Sequence, residues 1–268
     1  MTREMDYKVD YHIHTTYSDG AYEPVDVVKK FQELGYSVIA ITDHDGTGGL
    51  EEARVAGKAL GINVVPGIEL SSRYDIGGRS AELHILGYNI DTGNEELAET
   101  CRLLRQYRKD RNERFIAKMK ERGIEITDED LPVKHGGYVG KPDLVKIIRL
   151  KAPDIEDPFA LFDDVPKQMI PAGEAVRVIR AAGGLPVLAH PHKTRELHPE
   201  EPGFRDRIEP VIADLKKQGL SGIECFHPSA THEQALELVE LAEKYHLNMT
   251  TGSDFHDDEH FDEDRRYR

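Results

Sequence analysis

Short apolar runs of strand length alternate with helical patterns along most of this 268-residue chain, which narrows the folds open to it. The predicted strands occupy residues 7–13, 37–41, 62–65, 81–88, 185–189, 222–225 and 248–251. The predicted helices between them occupy residues 24–34, 48–60, 172–182, 204–218 and 231–245. This alternation predicts an α/β fold of βα units with a parallel sheet, and seven strands are enough to close a barrel.

Residue types that bind divalent metals recur along the same runs. The eight candidates are His12, His14, His44, Glu69, His84, His190, Asp254 and His256. In α/β barrels the carboxyl ends of the strands meet at one rim, where the chemistry takes place. All candidates except His84, which lies inside residues 81–88, fall at or after the end of a predicted strand. The pattern predicts a polynuclear metal site in a metallohydrolase.

The mixture of imidazole and carboxylate groups favours Mn, Zn or Fe(II) over Mg and Ca, which prefer oxygen ligands. His12 and His14 are two residues apart on a strand, so their side chains share one face and can bind one ion. Asp254 and His256 repeat this spacing, and Glu69 is suited to bridge two ions. Neighbouring ions can share a hydroxide and stabilise both the attacking and the leaving oxygen of phosphoryl transfer.

A single histidine in or after a strand is more often structural than a ligand, so each candidate depends on the joint arrangement. The histidines assigned to structural or surface roles are His135, His198, His227, His232, His246 and His260.

The net charge of −15 argues against a broad duplex-binding face, because affinity for nucleic acid depends largely on Lys and Arg. Only Cys101 and Cys225 are present, which fits a reducing compartment. We find neither a signal-peptide pattern nor an apolar stretch long enough to cross a membrane. These features predict one principal domain in a cytoplasmic protein without a membrane partner.

Residues 94–171 interrupt the alternation and predict an inserted helical lid subdomain, which leaves residues 1–93 and 172–268 to form the barrel. Its first helix, predicted over residues 95–122, is unusually basic: residues 102–122 contain nine Lys or Arg and three acidic residues. Two interpretations stay open. The charges form a solvated lid face, or they form a positive wall that steers a phosphorylated substrate toward the metals.

Six segments of the chain resemble the motifs of the PHP (polymerase and histidinol phosphatase) family. They are DYHIHTTYSDGAYEP (10–24), AITDHDGTGGLEEA (40–53), GIELSS (67–72), ELHILGYNID (82–91), LAHPHK (188–193) and GSDFH (252–256). The resemblance implies a distorted (β/α)7 barrel with an insertion. Within the family the chain is similar to stand-alone phosphoesterases, which include 3′,5′-nucleoside bisphosphate phosphatases, 5′-end RNA exonucleases and cyclic-phosphate dihydrolases.

The resemblance also implies three divalent transition metal ions per chain, of Mn²⁺, Zn²⁺ or Fe²⁺. The implied ligand sets are His12, His14, Glu69 and Asp254 for the first ion, Glu69, His84 and His190 for the second, and Asp19, His44 and His256 for the third. Asp19 enters only through the resemblance, because a Ser-Asp-Gly sequence is otherwise typical of a turn.

By the same resemblance, the insertion and the loop after the fifth predicted strand bind the substrate phosphate. The candidate phosphate contacts are His192, Lys193, Arg73 and Lys141, with Arg195 favoured as a surface charge. The insertion reads GKPD (140–143) where a bisphosphate phosphatase is expected to read GRPH. Lys cannot replace the bidentate fork of Arg, and Asp143 is expected to repel phosphate. A smaller ester or a cyclic phosphate is therefore favoured over a bisphosphate.

Together these features predict a metal-dependent phosphoesterase that hydrolyses a phosphomonoester, a 3′,5′-nucleoside bisphosphate or a ribose cyclic phosphate. A hydroxide that bridges metals around Glu69 is expected to attack phosphorus, and Asp254 or His192 to protonate the leaving oxygen. Two alternatives stay open: a 5′–3′ exonuclease on short RNA or DNA oligonucleotides guided by the basic helix, and a non-catalytic metal-binding regulatory module. The oligomeric state stays open as well.

Overall fold

A computed structural model describes residues 8–132, 138–259 and 261 of the chain as an α/β fold. The strands are β1 (Lys8–Ile13), β2 (Tyr36–Ile41), β3 (Asn63–Ile76), β4 (Arg79–Tyr88), β5 (Ile170–Pro171), β6 (Leu185–Leu188), β7 (Gly222–Phe226) and β8 (Asn248–Thr251). The α-helices are α1 (Pro24–Glu33), α2 (Leu50–Leu60), α3 (Glu95–Glu121), α4 (Lys141–Lys151), α5 (Ala172–Ala181), α6 (Phe204–Lys217) and α7 (His232–Tyr245). Tyr7, His135 and His260 lie outside the described residues.

The strands form one sheet in the order β1-β2-β3-β4-β6-β7-β8, and the short β5 pairs with β3. The runs β1-β2-β3 and β6-β7-β8 are parallel, whereas β4 is antiparallel to both of its neighbours, β3 and β6. A parallel bridge between Ile13 and Phe255 connects the end of β1 to the segment after β8. In this bridge the backbone N–H of His14 donates to the Phe255 carbonyl at 2.9 Å.

The strand predicted over residues 62–65 is present in β3, but the loop predicted to follow it was wrong. β3 continues to Ile76 and pairs with β4 in a hairpin that runs from the Gly67–Tyr88 pair to the Ile76–Arg79 pair. The turn residues Gly77 and Gly78 both have positive φ, 60° and 83°, as a tight two-residue hairpin turn requires. The sheet is therefore mixed rather than parallel, and Glu69 lies inside a strand rather than after its end.

Helix ends follow local sequence signals closely. Pro24 occupies the first turn of α1, where its missing N–H costs nothing, and Gly61 ends α2 in the left-handed region with φ 74°. One face of α3 is buried and consists of Leu97, Cys101, Leu104, Arg108, Arg111, Phe115 and Met119. No helix in the described part of the chain is long and apolar enough to span a membrane.

Residues 94–171 contribute an apolar cluster separate from the main core. In this cluster Phe115 of α3 stacks on Phe162 with ring centroids 4.0 Å apart, and Leu144 and Ile148 of α4 pack against the same group. The helix α4 was not predicted. Its apolar face is now explained by the burial of Leu144 and Ile148 against α3.

Replacing Phe115 with Ala should lower the free energy of unfolding by about 3–5 kcal/mol, because it leaves a cavity where a fully buried ring packs. Urea denaturation measures this change. Phe159→Ala is the matched control, because Phe159 is 39% exposed in the same segment and its truncation leaves little cavity. Equal losses in the two variants would contradict the packing described.

Candidate metal centre

The nine residues expected to bind metal come together at one end of the sheet. β1 contributes His12 and places His14 just after its end, β3 contributes Glu69, and β4 contributes His84. The loops after β1, β2, β6 and β8 contribute the remaining residues, which are Asp19, His44, His190, Asp254 and His256. The correction to β3 preserves this convergence. In the antiparallel register His84 lies opposite Ser71, so Glu69 and His84 are diagonal neighbours on one face of the sheet.

Glu69 is the centre of the cluster, and its side chain is fully buried. One carboxylate oxygen, Oε1, lies 2.9 Å from His84 Nδ1 and 3.0 Å from His190 Nε2. The distances from the other oxygen, Oε2, are 2.9 Å to His44 Nδ1, 3.3 Å to His12 Nε2 and 3.3 Å to His14 Nε2. The two oxygens therefore face different histidines, as a carboxylate that bridges two ions would.

Asp254 completes a first group with His12, His14 and Glu69, in which one ligand-type atom from each residue lies within 4.8 Å of all the others. Its Oδ1 lies 3.1 Å from His14 Nε2 and 3.3 Å from His12 Nε2. Its Oδ2 accepts a hydrogen bond of 2.6 Å from Lys193 Nζ. One oxygen thus faces the histidines while a lysine holds the other.

A second group brings Asp19 together with His14, His44 and His256. Asp19 Oδ1 lies 3.2 Å from His256 Nε2, and its Oδ2 lies 3.8 Å from His44 Nε2. A third group consists of His44, Glu69 and His84. The groups overlap more than the implied ligand sets do: His14 also reaches the Asp19 group, and His44 also reaches Glu69. His190 contacts Glu69 but lies outside these groups.

Several polar atoms of the cluster fit a bound cation. Glu69 Oε2, His12 Nε2 and His44 Nδ1 are buried and form no hydrogen bond with the described residues. Burial alone would raise the pKa of Glu69, but the neighbouring His44 and His12 hold it well below its usual range. The carboxylates in turn raise the pKa of His12 against the effect of burial. Mutual attraction of this kind marks a site of negative potential, and imidazole with carboxylate suits a divalent transition metal.

Two buried carboxylates behind the cluster were not found by sequence analysis. Glu224 of β7 accepts from His12 Nδ1 at 3.0 Å and from the backbone N–H of His190 at 2.8 Å. Asp10 of β1 accepts from the backbone N–H groups of His12, at 3.1 Å, and Ser253, at 3.0 Å. Such partners orient ligating histidines. A carboxylate inside the apolar β7 sequence GIECF is the signal that could have revealed Glu224.

A cavity of about 820 Å³ opens beside the cluster, and His44, His84, His190, Asp254 and His256 line one side of it. The predicted phosphate contacts Arg73, Lys141 and Lys193 line this cavity, as does Arg195. Lys167 also lines it and was not predicted; its side chain is only 5% exposed and its Nζ lies 3.0 Å from Glu82 Oε1. The wall therefore carries cations and carboxylates together, because Glu82, Asp163, Glu196 and Asp254 line the same cavity.

His192, expected to contact phosphate or to donate a proton, is absent from the residues that line the cavity. Its Nε2 lies 3.0 Å from Ser229 Oγ, and burial, reinforced by the charges of His227 and His190, lowers its pKa to about 2. His227 was assigned a structural role, but it is buried and its Nε2 lies 3.7 Å from Asp254 Oδ2. It therefore belongs to the surroundings of the cluster.

The other described histidines stay apart from the cluster. His232 begins α7 and His246 follows its end, while His198 lies near Glu200 and Glu201 in an exposed group.

The basic residues of helix α3 include both exposed and buried side chains. Arg102 pairs with Glu99 and Lys118 with Asp164 at the surface. Arg108 and Arg111 are instead buried, at 5% and 0% exposure. Its exposed charges are thus largely paired, and Arg108 and Arg111 are not among the residues that line the cavity, so the positive wall stays a prediction.

Comparison with known proteins places this geometry in a family. The sequence matches the PHP domain over residues 10–160. The chain is 33% identical over 263 residues to a phosphoribosyl 1,2-cyclic phosphate 1,2-diphosphodiesterase of Eggerthella lenta, with 92% of this chain and 93% of that protein covered. It is 28% identical to a 5′-3′ exoribonuclease of Haemophilus influenzae (93% and 90% covered) and 28% identical to a 3′,5′-nucleoside bisphosphate phosphatase of Chromobacterium violaceum (92% and 87% covered).

The fold is also similar to a solved structure from Bifidobacterium adolescentis, described as that of a metal-dependent phosphoesterase. The TM-score is 0.79 at 25% identity, with 94% of this chain and 88% of that chain covered. The chain belongs to the PHP family. Its predicted class, a metal-dependent phosphoester hydrolase, is confirmed by these relatives.

Replacing Glu224 with Gln should weaken metal binding about 10- to 100-fold, because the amide no longer supplies the negative charge that orients His12. Isothermal titration of metal-free protein with Mn²⁺ measures the change. Glu237→Gln, a substitution on the outer part of α7, is the control. Unchanged affinity in Glu224→Gln would show that the carboxylate does not support the site.

Proposed function

We propose that the cluster binds three divalent transition metal ions, and the observation that carries this proposal is the division of the Glu69 oxygens between two sets of histidines. The proposed ligand sets are His12, His14, Glu69 and Asp254 for the first ion, Glu69, His84 and His190 for the second, and Asp19, His44 and His256 for the third. The first and third sets lie within groups of convergent ligand atoms. Mn²⁺, Zn²⁺ and Fe²⁺ suit these ligands.

Bound ions would supply Lewis-acid charge at phosphorus and lower the pKa of the attacking water. Glu69 would help to hold two of the ions, because its two oxygens face different histidines. Lys193, Arg73 and Lys141 line the cavity and would neutralise the phosphate oxygens.

Asp254 would take the proton released by the attacking water and transfer it to the leaving oxygen as the phosphorus–oxygen bond breaks. Of the two candidates for this step, Asp254 lines the cavity whereas His192 does not. We therefore assign the proton transfer to Asp254 and leave His192 the task of ordering its loop through Ser229.

The substrate is proposed to be a small phosphorylated metabolite or a nucleotide. A cavity of about 820 Å³ is of the size that accommodates such a molecule. Asp143 of the GKPD sequence accepts a hydrogen bond of 2.8 Å from the Gly140 N–H and so caps α4. Lys141 of the same sequence lines the cavity. Asp143 thus has a structural role at the start of α4. A phosphomonoester, a cyclic phosphate and a bisphosphate all stay within the proposed class of substrates.

We also infer the arrangement around the site. The bridge between Ile13 and Phe255 supports closure of the sheet into a distorted barrel formed by residues 1–93 and 172–268. Residues 94–171 would act as a lid subdomain, since Lys141, Phe159, Phe162 and Lys167 from this segment line the cavity opposite the metal ligands.

A 5′–3′ exonuclease acting on short oligonucleotides is the second candidate, favoured by the similarity to an exoribonuclease. Against it, the exposed cations of α3 are paired with Glu99 and Asp164, which leaves less free charge for a strand. A non-catalytic metal-binding module is less favoured, because the nine candidate ligands are brought together and a cavity lined by Arg73, Lys141 and Lys193 adjoins them.

Replacing His12 and His14 together with Ala should abolish Mn²⁺-supported hydrolysis of an aryl phosphate, because both side chains face Glu69 and Asp254. Rates of nitrophenol release measure this loss. The control is His198→Ala, which removes an exposed histidine from another acidic group. A double variant with the wild-type rate would refute the proposed mechanism.

A substrate panel separates the two candidate activities. We expect kcat/KM to be highest for a ribose cyclic phosphate, a 3′,5′-nucleoside bisphosphate or a small phosphomonoester, and lower for a short 5′-phosphorylated RNA. Raising the salt concentration should change turnover of the small esters little, whereas productive binding of a strand weakens steeply. A preference for RNA that falls steeply with salt would favour the exonuclease instead.

A further inference from the structure

A buried ion pair connects helix α3 to the metal cluster. Arg108 Nη2 donates to Asp45 Oδ2 at 2.6 Å, and the two side chains are 6% and 0% exposed. The guanidinium also stacks on the Tyr138 ring at 4.0 Å. One helical turn earlier, Arg105 Nε donates to the Asp45 carbonyl at 3.3 Å. Two arginines from residues 94–171 therefore hold one residue of the loop after β2.

Asp45 lies between two residues of the cluster. It directly follows His44, and its backbone N–H donates to the Glu69 carbonyl at 2.9 Å. Its carboxylate accepts from the backbone N–H of Ser71 at 2.8 Å and from Ser71 Oγ at 3.0 Å. Its φ of 52° is a conformation that non-glycine residues seldom adopt. The position of His44 relative to Glu69 thus depends on how Asp45 is held.

The same segment also touches the cluster from the side of Asp19. Gly140, which precedes α4, packs so closely that an added Cβ would lie 3.0 Å from the Asp19 Cβ. Residues 94–171 therefore reach two of the three proposed ligands of the third ion, His44 through Asp45 and Asp19 through Gly140.

We propose that Arg108 is a positioning residue for the third metal ion, acting through Asp45 on His44. This inference rests on the proposed function, because it assumes that Asp19, His44 and His256 bind an ion. Removing the guanidinium leaves the Asp45 carboxylate buried without its counter-charge. The loop after β2 can then shift so that water solvates the Asp45 carboxylate. This shift moves His44 away from Asp19.

The test measures bound metal rather than activity. Wild type and Arg108→Met are dialysed to equilibrium against a series of free Mn²⁺ concentrations, and Mn per chain is determined by plasma mass spectrometry. We expect Arg108→Met to weaken one of the three binding steps, that of the third ion, about 10- to 100-fold and to change the other two little. Arg108→Lys should recover part of the loss, because it restores the charge without the guanidinium fork.

Arg111→Met is the matched control, since Arg111 lies three residues along the same helix and is fully buried. Its Nη1 and Nη2 form no hydrogen bond with the described residues, and its Nε donates to Asn112 Oδ1 at 2.8 Å rather than to the Asp45 carboxylate. This variant should bind Mn²⁺ as wild type does. Equal weakening in both arginine variants would overturn the inference and show a general effect of disturbing α3.

Two further variants test the route. If Arg108 acts through Asp45, adding Asp45→Asn to Arg108→Met should weaken the third step no further, whereas independent additive losses would overturn the route. Gly140→Ala, with φ of −82° that alanine adopts readily, should weaken the same step from the Asp19 side. It also provides the test if Arg108→Met does not fold, and unchanged Mn²⁺ binding in both Gly140→Ala and Arg108→Lys would then overturn the inference.

The wild-type titration separates a failure of the proposed trinuclear site from a failure of the proposed role of Arg108. A wild-type protein that binds fewer than three ions contradicts the proposed trinuclear site itself. A wild-type protein that binds three ions, together with an Arg108→Met variant that binds all three equally well, contradicts only the inference about Arg108.

Discussion

The carboxylate of Glu69 is the group on which the rest of the site depends. It is fully buried, and five histidine nitrogens surround its two oxygens at 2.9 to 3.3 Å. A buried charge of this kind is costly unless cations or strong hydrogen-bond donors compensate it. The carboxylates around the cluster raise the pKa values of His12, His14 and His84 against the effect of burial, which favours the cationic imidazoles beside Glu69, and divalent ions would supply positive charge when bound. The arrangement is thus suited to exchange of protons for metal ions.

The fold serves this group by surrounding it with strands of different direction. β1 and β2 approach Glu69 in parallel, whereas β4 approaches antiparallel and brings His84 diagonally across the hairpin. Glu224 of β7 accepts hydrogen bonds from His12 Nδ1 and from the backbone N–H of His190. Residues 94–171 contribute Lys141 and Lys167 to the cavity wall. The same segment contributes Arg108, which pairs with Asp45 in the loop that carries His44. The candidate metal ligands therefore come from the sheet and its loops, whereas the cavity wall is shared between this part of the chain and residues 94–171.

Much of this site could be predicted from the sequence because its ligands recur beside strand-like runs. The hairpin was missed although its sequence carries a signal: apolar residues alternate with polar ones from Ile68 to Ile76, and Gly77-Gly78 is typical of a hairpin turn. Pro66 and Gly67 instead indicated a break after residue 65. Glu224 was missed because a carboxylate in an apolar strand identifies no partner by itself. Arg108 was counted in a basic stretch, and only the packing of α3 shows that it points inward to Asp45. Such contacts depend on tertiary placement, which spacing alone does not encode.

Anomalous X-ray diffraction tests the proposed trinuclear site most directly, with data collected from a crystal of the Mn²⁺-loaded protein on both sides of the Mn absorption edge. We expect three anomalous peaks around Glu69. One should lie between His12, His14 and Asp254, one beside His84 and His190, and one beside Asp19 and His256. Absence of any peak within coordination distance of the Glu69 oxygens would contradict the proposed site, as would Mn bound only near His198, Glu200 and Glu201.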